Sequence, residues 1–167
     1  METIIIILVV LQGTAISLGM GASTLAIANF FVAIADGKIE GDERKMMGVV
    51  YAVLRVAMAL IFSTTIILFL SSVMANGLVG VSAFILAQLI ITFVLFTNAW
   101  LMTKRVMPSS IGPALQAGSW YTLGIMSSLV GMVGVTVALG MFALWYCAAI
   151  VVALVTVNGV MMYLKKK

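Results

Sequence analysis

The sequence predicts an all-α integral membrane protein in which a single domain, residues 1–167, forms a five-helix transmembrane bundle. Of its 167 residues, 64% are hydrophobic and 8% are charged, and the mean hydropathy is +1.28. A soluble domain would carry about 45–50% apolar and about 25% charged residues. Cutting the chain at charges and turn residues leaves five apolar segments, each with the roughly 20 residues that a membrane-spanning helix needs.

The predicted helices span residues 3–35, 46–74, 78–102, 115–137 and 141–164. As one helix, the first would be about 50 Å long against a hydrocarbon core of about 30 Å, so it must tilt, protrude or break. We favour an unbroken helix in which the small residues Ala15, Gly19 and Ser23 form a stripe that lets another helix approach closely. The alternative is an unwound stretch near Gly19 with free backbone carbonyls.

Turn residues set the other boundaries. Asn76-Gly77 is a strong turn dipeptide between the second and third helices. Two prolines lie within residues 108–113, and Ser110 is the predicted N-cap of the fourth helix. Gly140 is the predicted centre of a tight turn between the last two helices.

The distribution of basic residues predicts the orientation. Outside the helices, all Lys and Arg residues fall in alternate loops and in the C-terminal tail: Lys38, Arg44, Lys45, Lys104, Arg105, Lys165, Lys166 and Lys167. Short loops rich in Lys and Arg favour the cytoplasmic side. We therefore expect an N-terminus outside and a cytoplasmic C-terminus, in a multi-pass protein of the plasma membrane.

The composition also argues against several chemistries. Histidine is absent and Cys147 is the one cysteine, so histidine-based catalysis and the usual zinc, haem and iron–sulfur sites lack their ligands. The acidic residues lie at or beyond segment ends, and the net charge of +4 is too dispersed for a nucleic-acid surface. We expect no enzyme activity, no catalytic residues, no metal, no cofactor and no nucleic-acid partner.

Four polar residues are expected at one depth near the cytoplasmic side. Asn29, Asn98 and Asn158 lie seven, six and seven residues before Asp36, Lys104 and Lys165. Arg55 follows Lys45 by ten residues, about 15 Å along a helix. These four are the predicted substrate-binding residues of a pocket for an anion or a polar headgroup. Alternatively, Arg55 reaches lipid phosphate or pairs with Asp36, and the asparagines join helices.

A second polar group and a weak repeat complete the pattern. Gln12, Gln88 and several threonines, among them Thr65 and Thr92, fall in the outer halves of the helices and suit either a polar path or helix packing. The hairpins of helices 2–3 and 4–5 share short motifs at matched depths, such as Asn98 and Asn158, which suggests a weak repeat.

Two functions fit this composition. The leading hypothesis is a small transporter or channel, homo-oligomeric because five helices enclose little room for a pathway. The alternative is a non-transporting structural or scaffold subunit that packs against other membrane subunits in the lipid bilayer. A transporter should surround Arg55 with water, whereas a scaffold should leave the polar residues dry and bonded to one another.

Overall fold

The computed structural model describes residues 2–36, 41–108, 111–133 and 137–164. This part of the chain is 92% helical and contains no strand. Its elements are α1 (Glu2–Asp36), α2 (Gly41–Asn76), a 3-10 turn (Leu78–Gly80), α3 (Ala83–Thr103), α4 (Gly112–Val133) and α5 (Leu139–Leu164). The prediction of an all-α protein is confirmed.

The predicted boundaries need correction around α2 and α3. α2 begins at Gly41 and not at residue 46, and its first turn includes an exposed ion pair in which Lys45 donates to Asp42 at 3.1 Å. Gly77 ends α2 with a positive φ of 71°, a conformation that glycine adopts without steric cost. α3 starts at Ala83 and not at residue 78, because the hydroxyl of Ser82 caps it by accepting from the Ile85 amide at 3.3 Å.

The last two helices also start earlier than predicted. α4 begins at Gly112 and not at residue 115, with Pro113 in the first turn, where a missing amide proton breaks no helical bond. Its described part ends at Val133, and Val137, the predicted end, is not helical. α5 begins at Leu139, so Gly140 lies inside the helix and is not the centre of the turn. The predicted cap Ser110 lies outside the described residues.

α1 is a single continuous helix of 35 residues, so the broken-helix alternative is wrong. The stripe of Ala15, Gly19 and Ser23 is buried, as the packing interpretation predicted. Gly19 lies directly against the Trp120 indole of α4, and a Cβ at position 19 would overlap that ring. The small residue is therefore what allows α1 and α4 to pack this closely.

α1, α2, α3 and α5 are each long and apolar enough to cross a membrane, which is consistent with a multi-pass membrane protein. α4 does not belong to this group because Gln116, Ser119 and Thr122 lower its hydropathy. It is instead enclosed by α1, α3 and α5, and its Trp120 is 0% exposed. The one described helix of this length that falls short of a membrane-spanning hydropathy is thus packed against three neighbours.

Candidate functional site

The candidate site is a half-open pocket of about 470 Å³ between α1, α2, α3 and α4. It lies near the ends of the helices that the sequence places on the cytoplasmic side, since it is bordered by the last turns of α3 and the first turn of α4. Its lining residues are Ser23, Ala26, Ile27, Phe30, Tyr51, Leu54, Arg55, Met58, Ala59, Phe96, Ala99, Trp100, Met102, Thr103, Pro113 and Gln116.

The pocket has a buried floor and an exposed mouth. Ser23, Leu54, Met58 and Gln116 are buried and form the floor. The exposed lining residues all belong to α2 and α3: Tyr51, Arg55, Ala59, Trp100 and Thr103. The exposed part of the lining, which we call the mouth, therefore lies on α2 and α3.

Among the described lining residues, Arg55 is the one that carries a charge, and it is exposed. The described part of the wall therefore presents a positive group and no carboxylate. Asp36, the alternative partner that the sequence offered, has a side chain outside the described set. A guanidinium beside apolar surface favours an anionic group, which accepts paired hydrogen bonds from its planar fork.

Asn98 does not line the pocket but bonds to Gln116, which lies on its floor. Its amide nitrogen donates to the Gly112 carbonyl at 2.9 Å and to the Gln116 side-chain oxygen at 3.1 Å. Gln116 in turn points its amide nitrogen at the Met58 sulfur, 3.7 Å away. Asn98 thus ties α3 to the start of α4 and fixes the orientation of the one amide that lines the pocket.

The four predicted site residues do not all meet at the pocket. Arg55 is on the wall, and Asn98 reaches it through Gln116. Neither Asn29 nor Asn158 is among the described lining residues. The amide nitrogen of Asn158 donates to the Leu154 carbonyl of its own helix at 2.9 Å, and that of Asn29 is buried with no partner in the described chain. A shared layer of all four stays a prediction.

Gln116 is a site residue that sequence reasoning missed. It lies close to the predicted start of the fourth helix, and it was not grouped with the asparagines because α4 runs in the opposite direction from their helices. The available signal was a glutamine one turn inside an apolar helix, directly after the loop that follows Asn98. Two polar residues that flank a short turn between antiparallel helices lie at similar depth and can bond.

A second set of polar residues, which we call the outer cluster, joins α1, α2 and α3 at the other end of the bundle. It consists of Gln12, Thr65, Gln88 and Thr92, all buried. The amide nitrogen of Gln12 donates to the Thr65 hydroxyl and to the Gln88 side-chain oxygen, each at 3.3 Å. The amide nitrogen of Gln88 and the hydroxyl of Thr92 have no partner among the described residues.

Apolar packing separates the pocket from the outer cluster. Ile61, Leu95 and Trp120 are fully buried. They follow the lining residues Ala59, Phe96 and Gln116 toward the outer side by two, one and four residues, hence by about 2–6 Å along their helices. The pocket is therefore closed on its outer side by a layer of large apolar side chains.

A shallower groove of about 500 Å³ lies on the surface between α1 and α4. Its lining is made of small and apolar residues with no charge, including Gly13, Ser17, Gly124 and Ser128. It holds no counterpart of Arg55, and we assign it no site.

No protein-family model, curated protein or solved structure matches the chain.

Within the chain, the positions paired by the suggested repeat have different surroundings. Gly48 has open space beside it, whereas a Cβ on Gly118 would lie 3.3 Å from the Ile150 Cα. Asn98 bonds between helices and Asn158 donates within its own. The repeat therefore carries no functional argument, and the assignment comes from the pocket.

Proposed function

We propose that the protein is a small multi-pass transporter or channel whose pocket faces the cytoplasm and binds an anion or a polar headgroup. The observation that carries this proposal is the position of Arg55, the one charge among the described lining residues of a pocket of about 470 Å³. An arginine within a membrane segment costs about 2.5–3.5 kcal/mol on insertion scales, so such residues commonly serve a function.

The proposed topology has five transmembrane helices, with the N-terminus outside and the C-terminus in the cytoplasm. α4 is included because its polar residues face other helices, as in Asn98–Gln116 and in the Ser119–Tyr146 hydroxyl pair at 2.8 Å. The basic loops support the orientation, and the plasma membrane is part of the same proposal. Thiol labelling of a Lys38→Cys variant in a Cys147→Ser background should occur from inside; selective labelling from outside would contradict this orientation.

A transporter fits the pocket better than a permanently open channel. The exposed lining lies on α2 and α3, whereas Leu54 and Met58 of the floor belong to the same buried apolar cluster as Ile61, Leu95 and Trp120. A solute bound there needs a conformational change to leave on the other side, as in alternating access around a central site. We include homo-oligomerisation in the proposal because five helices provide a small enclosed volume.

Flux in liposomes tests the transport proposal. Purified protein would be reconstituted and assayed with radiolabelled inorganic phosphate and with a fluorescent lysophosphatidylglycerol, which reports transbilayer movement of a single-chain anionic lipid. We expect protein-dependent flux of at least one probe and a loss of at least tenfold in Arg55→Gln. The matched control is Arg44→Gln, on the same helix but outside the lining residues, which should keep wild-type flux.

The scaffold alternative draws on a different observation. Asn98 and Gln116, like Gln12 and Gln88, are buried and bonded to each other between helices, as packing residues are. If scaffolding is the whole function, neither probe crosses the membrane. Arg55→Met should then leave the stability unchanged or raise it, because the arginine would merely extend toward lipid phosphate.

A further inference from the structure

We propose that the ligand of the pocket is a single-chain anionic amphiphile, such as a fatty acid, that enters from the inner leaflet of the bilayer. This inference rests on the proposed function, since it assigns a substrate class to the same pocket. It follows from the lining chemistry, the direction of the mouth and the volume.

The lining is mostly apolar, with one charge. Eleven of its sixteen residues are apolar, and the polar ones are Arg55, Gln116 and the hydroxyl residues Ser23, Tyr51 and Thr103. An inorganic anion such as phosphate would need several donors converging on it, and Gln116 already directs its amide nitrogen toward Met58. A molecule with one anionic end and a hydrocarbon body matches this distribution instead.

The exposed mouth and the more buried lining of the pocket suit the two ends of such a molecule. Arg55 lies at the exposed mouth, whereas Ile27, Phe30 and Phe96 are half-buried deeper between the helices. Phe96 is held in place by Phe62, with ring centroids 4.7 Å apart. The carboxylate would therefore contact Arg55 near the mouth, and the chain would lie against the aromatic and aliphatic lining.

The mouth faces lipid. Its exposed residues belong to α2 and α3, two helices apolar enough to span a membrane, so a gap between them opens toward the bilayer. Tyr51 and Trp100 flank Arg55 there, and exposed aromatic residues next to a basic one are typical of the headgroup region. The ligand would enter from the leaflet with its headgroup at interfacial depth.

The volume favours one chain over two. Pockets for small molecules commonly measure about 300–1,000 Å³, and about 470 Å³ lies in the lower part of that range. Because the chain leaves bilayer hydrocarbon for an apolar pocket, its length should change the affinity little until the chain no longer fits.

Trp100 provides a direct binding readout. Protein in lipid nanodiscs would be titrated with brominated palmitic acid and with brominated palmityl alcohol, which quench tryptophan fluorescence on contact. We expect saturable quenching by the acid at a concentration at least tenfold lower than by the alcohol. Trp100→Phe, which leaves Trp120 and Trp145 in place, should remove most of this quenching and assign it to the pocket.

Arginine variants test the charge. Arg55→Gln should abolish the preference for the acid over the alcohol, whereas Arg55→Lys should keep most of it and Arg44→Gln all of it. Helical content and elution volume identify variants that fail to fold. If Arg55→Gln does not fold, the acid-to-alcohol ratio in wild type and in Arg55→Lys still decides the question.

Three results would overturn the inference: equal binding of acid and alcohol by wild type, displacement of the acid by inorganic phosphate, or displacement by benzoate, which would identify a water-soluble organic anion as the ligand. The binding assay needs no flux. Selective acid binding without flux would uphold the ligand class and contradict transport. Phosphate flux without acid binding would uphold transport and contradict the ligand class.

Discussion

The pocket and the outer cluster both place buried amide side chains between helices, yet they differ in what surrounds those amides. Asn98 and Gln116 bond to each other beside a pocket with a charged wall, whereas Gln12 and Gln88 bond directly across α1 and α3, away from the lining of that pocket. A polar residue in an apolar helix thus marks a helix contact in both places. What distinguishes the candidate site is the adjacent pocket and Arg55.

The largest effect is expected at the packing between these regions. Gly19→Ala would drive a Cβ into the buried Trp120 ring, and overpacking of this kind typically costs 1–3 kcal/mol. We expect the free energy of unfolding to fall by about 3 kcal/mol, because the indole is fully enclosed. Gly21→Ala, two residues away with open space around it, is the matched control and should be neutral or slightly stabilising. Denaturation in mixed micelles measures both.

Asn98→Leu should have the next largest effect. It removes a second donor from the Gly112 carbonyl, which keeps its helical bond, and leaves the buried Gln116 side-chain oxygen without its Asn98 donor. We expect a loss of about 2 kcal/mol in the free energy of unfolding, together with altered ligand binding because Gln116 would no longer be held at the floor. Unchanged stability would show that the Asn98 bonds do not form and that Asn98 does not hold Gln116 at the pocket floor.

A smaller effect is expected in the outer cluster. A double-mutant cycle with Gln12→Leu and Gln88→Leu should give a coupling of about 0.6 kcal/mol, the average for hydrogen bonds between membrane helices. The low value is expected because the Gln12–Gln88 hydrogen bond is long at 3.3 Å and because the Gln12 amide nitrogen also donates to Thr65. The double variant should keep wild-type ligand binding. Loss of binding would place the outer cluster within the functional site.

Composition and turn chemistry predicted much of the fold, because helices in a bilayer must be long, apolar and separated by polar turns. The continuous helix α1 and the turn at Gly77 were both predicted in this way. The start of α3 did not, because the apolar residues Leu78, Val79 and Val81 fit a helix as well as they fit the turn they form. Sequence alone gives no contact partners for an isolated polar residue.

The site was predictable only in part. The sequence identified Arg55 as the one charge well inside a helical segment. It identified Asn98 by its distance from the predicted cytoplasmic end of its helix. Depth alone gave no angular position around the helix, so it could not separate Asn98, which faces α4, from Asn158, whose amide nitrogen bonds to its own backbone. The aromatic lining was equally hidden, since Phe30, Phe96 and Trp100 resemble any other apolar residues in a membrane helix.

The most direct test of the account compares two small, equally buried side chains. Ser23 is 2% exposed and lines the pocket, whereas Thr92 is 1% exposed and belongs to the outer cluster. In a Cys147→Ser background, Ser23→Cys and Thr92→Cys would each be treated with an anionic methanethiosulfonate that carries an alkyl chain, added to inside-out vesicles so that it enters from the inner leaflet. The account predicts labelling at position 23 at least tenfold faster than at position 92. Equal rates at the two positions would contradict an open inner pocket and a closed outer half.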